Sequence, residues 1–325
     1  MNPGNRVVWL IGACVMGQAI AQSYPSKPIR SYVGTPTGGP GDVAMRGAAQ
    51  AITQAMGQSV VVENRVSVAS IVATDACAKA APDGYTLCVC SQQSLATNPY
   101  ARSNLPYDPS DLAPVALFGF LASGIHVHPS MPVNTFQDLL TLAKAKPGGI
   151  TWGSYGATSA SAFYIEWLKK TRGIEFLNIP YKAASLAWPA MLAGEVQVTF
   201  YGLTAPALQM VRAGKARTIV VGWEQRVPEL PDVPNYKEAG LEFSMVTWFG
   251  LCAPARTPRD VVQRLNAAVK KGLIDDLPTR AKFLGSQGIL AEAPAGGSPE
   301  SFAQWIASEQ KTYRELIRIT GIKED

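Results

Sequence analysis

The chain has 325 residues, 47% of them apolar and 16% charged, with a formal net charge of +5. That length can bury a large core in two domains, and the composition excludes a disordered chain. The positive balance is mild and spread out, with no basic run and no nucleic-acid motif, so nucleic acid is not expected as a partner.

Met1 to Arg6 carries one positive charge, and Val7 to Ile20 is an apolar run too short for a comfortable membrane span. Ala19-Ile-Ala21 then gives an A-x-A site before Gln22. These features predict an export signal over residues 1–21, cleaved after Ala21. Ile11-Gly-Ala-Cys14 resembles a lipobox and supplies a competing reading, lipidation at Cys14. The apolar run continues past Cys14 to the A-x-A site, which argues for cleavage.

Ile29 to Val33 reads as a buried strand, followed by a loop of Gly, Pro and Thr and a helix to Met56 with Asp42 as its N-cap. Gly38, Gly39 and Gly41 let backbone N–H groups approach a ligand, and a helix N-terminus favours negative charge. This is half of an anion cradle, although neither G-x-G-x-x-G nor a P-loop is present. Ser59 to Glu63 is a second strand, Ile71 to Ala81 a helix, Tyr85 to Cys90 a third strand, and Ser91 to Thr97 a polar turn. Strands alternating with helices at this spacing indicate a parallel sheet with helices on both faces.

Leu112 to Leu117 leads into a second run of such units. Ile125 to His128 is a strand, and Asn134 to Asp138 opens a helix through Lys146. Thr151 to Gly156 is again strand then glycine loop, with Thr158 or Ser159 capping a helix through Lys170. Strands at 176–180, 196–200 and 218–222 alternate with helices at 185–193 and up to Ala213. Trp248 to Ala253 is a last crossing strand, a helix opens at Thr257 to Asp260, and a helical pattern runs from Pro299 to Ile319. The loop Gly153 to Ser159 repeats the first in kind, so two cradles can face each other across a cleft.

No constellation for an enzyme assembles. His126 and His128 share a face as a metal-binding H-x-H would, but no third ligand is placed, so no metal or other cofactor is expected. Gly153-Ser-Tyr-Gly156 is one residue short of a G-x-S-x-G elbow. Cleavage after Ala21 leaves Cys77, Cys88, Cys90 and Cys252, an even number that permits disulfides. Cys88 and Cys90 point to one face of a strand, where a bridge between them would be strained, and buried free thiols are the favoured reading.

A set of motifs in order along the chain carries a resemblance. These are Tyr24-Pro-Ser-Lys-Pro-Ile-Arg30, Pro36-x-Gly-Gly39, Val60-Val-Val-Glu-Asn-Arg65, Ala78-Lys-Ala-Ala-Pro-Asp-Gly-Tyr-Thr-Leu87 and Leu105-Pro-Tyr-Asp-Pro109. Leu142-Ala-Lys-Ala-Lys-Pro-Gly148, Ile179-Pro-Tyr-Lys182, Leu230-Pro-Asp-Val-Pro234, Glu238-Ala-Gly240 and Trp248-Phe-Gly-Leu-x-Ala-Pro254 continue it. From about Tyr24 to Ile322 the sequence resembles the Bug-type extracytoplasmic solute receptors of tripartite tricarboxylate transporters.

The resemblance implies an α/β, two-domain periplasmic binding protein of the Venus-flytrap type, each domain a mainly parallel sheet flanked by helices. One domain would combine residues 22–122 with 249–325, and the other would be 123–248. The expected protein is a periplasmic monomer that binds an organic carboxylate, is no enzyme, and delivers its ligand to a membrane permease. A sensor partner, or an orphan receptor without a transporter, is the alternative. Charge recognition is expected from the backbone around Thr37, Gly38 and Gly39 and around Ser154, Thr158, Ser159 and Ala160, beside Asp42. Hydroxyl contacts are expected from Thr35, Ser91, Ser159, Ser185 and Tyr201.

The departures bear on the ligand. Thr35 replaces a Phe common in the family, and Val66-Ser-Val-Ala-Ser70 replaces a run that commonly reads Gly-Ala-Gly-Gly. Ser91-Gln-Gln-Ser94 replaces a more Ser/Gly-rich turn, and Ala183 a usual Gly. Gln197 and Tyr201 stand where many members carry Asp. These changes disfavour amino-acid ligands, whose amine needs an acidic partner, and favour a mono- or dicarboxylate, aromatic acids included.

Overall fold

In the computed structural model the described residues are 24–324. The expected export signal, its cleavage after Ala21 and the alternative lipidation at Cys14 lie outside them.

The first sheet begins with β1 (Ile29–Val33), which feeds α1 (Pro40–Met56), β2 (Val60–Asn64), α2 (Ile71–Ala78) and β3 (Thr86–Ser91). Helix α1 starts at Pro40 with Gly39 as N-cap, not at Asp42. Pro is preorganised for the first helical position because its missing N–H is an orphan there anyway. Asp42 therefore falls in the first turn. The segment 91–97, expected as a polar turn, is helical from Gln93 to Thr97 and continues as α3 (Asn98–Ala101). Strand β4 (Leu112–Leu121) then leads out of this half.

After a single linking residue, Ala122, the chain enters the second sheet as β5 (Ser123–Val127). It continues through α4 (Phe136–Ala145), β6 (Thr151–Ser154), α5 (Ala160–Arg172), β7 (Leu177–Pro180), α6 (Ala184–Leu192), β8 (Val198–Gly202), α7 (Ala205–Arg212) and β9 (Arg217–Val221). It returns as β10 (Thr247–Pro254), followed by α8 (Arg259–Val269), a wide helical turn over Lys270–Ile274, and α9 (Leu277–Phe283). The short β11 (Ile289–Leu290) and the long α10 (Pro299–Thr320) end the described fold. The segment between α8 and α10 showed no element in the sequence reading.

The strand orders are β11-β4-β10-β3-β1-β2 and β7-β6-β8-β5-β9. Each sheet is mixed. Parallel ladders join β2, β1 and β3 in one sheet and β7, β6 and β8 in the other. The strands that carry the chain between the sheets, β10 and β5, pair antiparallel with their neighbours. An antiparallel strand lets the chain leave a sheet at the edge where the parallel strands end, which brings both sets of strand termini to one cleft.

Helix α10 ties the halves together. Its Phe302 and Ile306 pack with Phe120 and Trp248 beside the first sheet, whereas Tyr313, Leu316 and Ile317 pack with Phe163 and Leu168 beside the second.

Cysteine pairing corrects the free-thiol expectation: Cys77 bonds Cys88, and Cys90 bonds Cys252, with Cα atoms 6.0 and 5.9 Å apart. Cys88 and Cys90 do share a face, yet each bonds a cysteine on another element. Packing of α2 over β3 supplies Cys77, and the antiparallel β3–β10 ladder supplies Cys252. Sequence spacing reports neither contact.

Candidate functional site

The strand ends converge on a cavity of about 400 Å³ lined by both halves of the molecule. Thr35 and Pro36 come from the loop after β1, Ser91 to Gln93 from the end of β3, and Thr158 to Ala160 from the start of α5. Two grooves of similar volume, about 440 and 450 Å³, each lie within the first half, one beside α10 and one beside α1. Unlike those two grooves, the first cavity draws on the strand ends of both sheets, where an open α/β fold places its ligand.

The loop after β1 is fixed by Asp42. One of its carboxylate oxygens accepts from the Gly38 N–H and from Arg46 Nε, both at 2.9 Å, and the other accepts from Asn64 Nδ2 at 2.9 Å. Asn64 also donates to the Thr35 carbonyl at 3.0 Å. Burial pushes the Asp42 carboxyl up, but the donors Arg46, Gly38 and Asn64 outweigh it, and its pKa is lowered overall. Gly38 has φ +82°, a conformation that glycine adopts without penalty. Asp42, Thr37, Gly38 and Gly39 do not line the cavity; they shape the loop that presents Thr35 and Pro36 to it. The Thr35 hydroxyl is buried and has no hydrogen-bond partner.

The second cradle is capped by Ser159, whose Oγ accepts from the Ala162 N–H at 3.3 Å and from the Tyr155 N–H at 3.4 Å. A helix of this length carries a partial positive charge at its start, and Thr158, Ser159 and Ala160 bring that end to the cavity wall. Ser154 is buried at the end of β6, where its carbonyl accepts from the Tyr181 N–H at 2.8 Å, and it does not reach the wall. Ser91 does, while its hydroxyl and N–H engage Ser94.

Two expected residues lie elsewhere. Ser185 is exposed on the first turn of α6. Tyr201 stacks on Trp188, ring centroids 4.8 Å apart and planes 11° apart, and burial raises its pKa. Beside that stack, His126 donates from Nε2 to the Tyr201 carbonyl (3.2 Å) and accepts at Nδ1 from the Thr218 hydroxyl (3.0 Å). Burial lowers the His126 pKa to about 4, so the ring is neutral at pH 7. His128 instead meets Ser130, and among the described residues no three His, Cys, Asp or Glu side chains are grouped to hold a metal.

The cavity also contains residues the sequence reading did not select: Gln93, Tyr155, Lys182, Met245, Phe249 and Tyr313. Tyr155 and Lys182 sit in strand-end loops already singled out, so the strand-end rule reaches them. Nothing local marks Tyr313, which arrives on a periodic helix. Burial raises the pKa of Tyr155 and of Tyr313, keeping both hydroxyls protonated and able to donate. Lys182 is the one charged residue among those lining the cavity in the described structure. The arrangement offers hydroxyl and N–H donors, one cation and no carboxylate, a surface suited to an anion.

Comparison with known proteins agrees with that chemistry. The family model described as the tripartite tricarboxylate transporter family receptor matches residues 44–322. The chain is 30% identical over 319 residues to a UPF0065 protein of Bordetella pertussis, covering 98% of this chain and 97% of the relative. Rpa4515 of R. palustris, solved with adipate, superposes with a TM-score of 0.79 at 28% identity, covering 92% of this chain and 99% of that one. MatC from Rhodopseudomonas palustris, solved with bound malate, gives 0.76 at 26%, covering 90% and 100%.

Proposed function

The chain belongs to the tripartite tricarboxylate transporter receptor family, and from that premise we propose that it captures a small organic carboxylate in the cleft and delivers it to a tripartite membrane permease. The family and its structural neighbours are substrate-binding receptors, not enzymes, and the two mixed sheets flanked by helices form the two-domain periplasmic-binding-protein fold. No helix among the described residues is long and apolar enough to cross a membrane.

The observation that carries the carboxylate reading is the charge inventory of the cavity, one lysine and no acid, beside the start of α5. Adipate in Rpa4515 and malate in MatC support it by likeness. In this reading Thr35, Ser91, Thr158, Ser159 and Ala160 contact the ligand, and Asp42 holds the loop after β1 in place. The lobes are residues 22–122 with 249–325, and 123–248. Strand membership supports that division, with β10 starting at Thr247, within two residues of the second boundary. The receptor acts as a periplasmic monomer, exported by the signal before Gln22. Ligand bridging the two lobes shifts an open–closed equilibrium toward closure.

A thermal-shift screen of the chain from Gln22 against di- and tricarboxylates, aromatic acids and amino acids tests the reading. A ligand at a hundredfold excess over its Kd stabilises the fold by about 2.7 kcal/mol. A folded sample that responds to no carboxylate refutes it.

A further inference from the structure

The cavity wall supplied by the loop between β2 and α2 has a backbone that glycine would suit better than the residues present. Ala69 and Ser70 both lie in the left-handed region, with φ 52° and 60°, a conformation that side chains disfavour. The loop is held there from several sides. Asn98 Nδ2 donates to the Ala69 carbonyl at 3.0 Å, Thr74 Oγ1 to the Ser70 carbonyl at 2.9 Å, and Ser67 Oγ accepts from the Val72 N–H at 3.0 Å. Backbone outliers persist only where surroundings over-determine them, and they gather at ligand clamps.

The side chains kept at that cost face the ligand space. Val66, Ser67, Ala69 and Ser70 all line the cavity, and Val66 is 59% exposed. Met245 and Phe249 add further hydrocarbon to the lining. An ammonium group in this cavity would find no carboxylate to pair with, and an unpaired charge removed from water is strongly disfavoured.

We propose that Val66–Ser70 is the specificity wall of the cleft. It presses the Val66 and Ala69 side chains against the ligand body, so the site takes carboxylates with a hydrocarbon body, alkyl or aryl, and discriminates against ammonium-bearing acids. This rests on the carboxylate reading of the cleft and adds the chemistry of the rest of the ligand.

Calorimetric titration of the chain from Gln22 with adipate, hexanoate, benzoate, 2-aminoadipate and malate tests it. The tightest of the first three binds at least tenfold better than 2-aminoadipate. Val66→Ser weakens that ligand about tenfold, the effect of losing one to two buried methyl groups. The double variant Ala69→Gly/Ser70→Gly also weakens it several-fold, while its Tm rises because the left-handed strain is relieved. Weaker binding with a more stable fold separates a ligand contact from damage to the protein. The wall assignment is overturned if both variants bind as wild type does, if 2-aminoadipate binds as well as adipate, or if malate alone binds. Each of those leaves carboxylate capture standing. Silence toward all five acids sinks the carboxylate reading itself.

Discussion

Gln93 and Thr158 hydrogen-bond across the cleft, Nε2 to Oγ1 at 3.2 Å, one residue from each half of the molecule. Gln93 also donates to Asn98 Oδ1 at 2.9 Å, and the Thr158 hydroxyl donates to Glu324 Oε2 at 3.0 Å. Glu324 in turn pairs with Arg102 at 2.8 Å, so the contact is backed on both sides. A contact of this kind exists only when the two halves are near each other, so the proposed closure would make and break it. Thr158→Val and Gln93→Ala should each weaken ligand binding about fivefold, the worth of one hydrogen bond of about 1 kcal/mol. Titration of the double variant checks it. Losses that simply add would mean the two side chains act independently and not as a bridge.

Asp42 holds the loop after β1 by three donors, and its carboxyl is lowered below the ordinary 3.8 despite burial. A depressed acid stabilises the fold above its unfolded pKa, and that contribution is lost as pH falls through the lower folded value. Asp42→Ala should cost about 2 kcal/mol at pH 7 through unsatisfied donors. The gap from wild type should narrow below about pH 4, near its ordinary value of 3.8. Urea unfolding at pH 7 and pH 3 reads both effects; a gap equally wide at pH 3 would count against the assignment.

His126 and Glu309 should give pH dependences of opposite sign. His126 is buried and lowered from 6.5 to about 4, so the unfolded chain binds the extra proton between those values. Stability from this group falls as pH drops from about 6.5 to 4, by about 3 kcal/mol at most. His126→Gln should flatten that part of the stability curve, and unfolding midpoints at pH 6.5 and 4.5 measure it.

Glu309 lies on α10 and accepts from Trp248 Nε1 at 3.2 Å; burial raises its pKa from 4.5 to about 7. Here the folded state holds the proton. The group's contribution is present below about 4.5 and is lost as pH rises toward 7. Glu309→Gln keeps an acceptor for Trp248 and removes the charge. It should raise Tm strongly at pH 8 and much less at pH 5, near the start of that window. An equal shift at both would show that packing, not ionisation, is involved.

Removing the Cys90–Cys252 bridge by a paired Cys→Ala change should destabilise the protein by about 2–5 kcal/mol, because both cysteines are fully buried in the first half of the fold. Chemical denaturation of the variant beside wild type gives the value. No measurable loss would indicate that packing around β3 and β10 holds those strands unaided.

The alternation of strands and helices was readable because glycine, proline and capping residues punctuate it. Ser159 sits at its cap, and Thr135 closes a capping box with Asp138 at the start of α4. The loops that reach the cavity followed from strand ends, which is how Thr35, Ser91 and Thr158 came to be selected. Register and long-range packing were not readable. Cys252 meets β3 only through a ladder formed 162 residues after Cys90, and Tyr313 reaches the cavity only because α10 spans both halves. Tyr201 was expected at the cleft because it stands where the resembled family often carries Asp, but a stacking partner on α6, Trp188, takes its ring.

The Cys90–Cys252 bond closes a covalent ring that contains every residue of the second sheet. A chain emerging N-terminus first would offer Cys77, Cys88 and Cys90 to an oxidant long before Cys252. Cys77 and Cys88 can close early as consecutive thiols, but Cys90 meets its native partner only after the whole second sheet has passed. Once the ring is shut, a protease that nicks any loop of that half leaves the two pieces tethered through the first. The second sheet is therefore an insert that can be cut without being released.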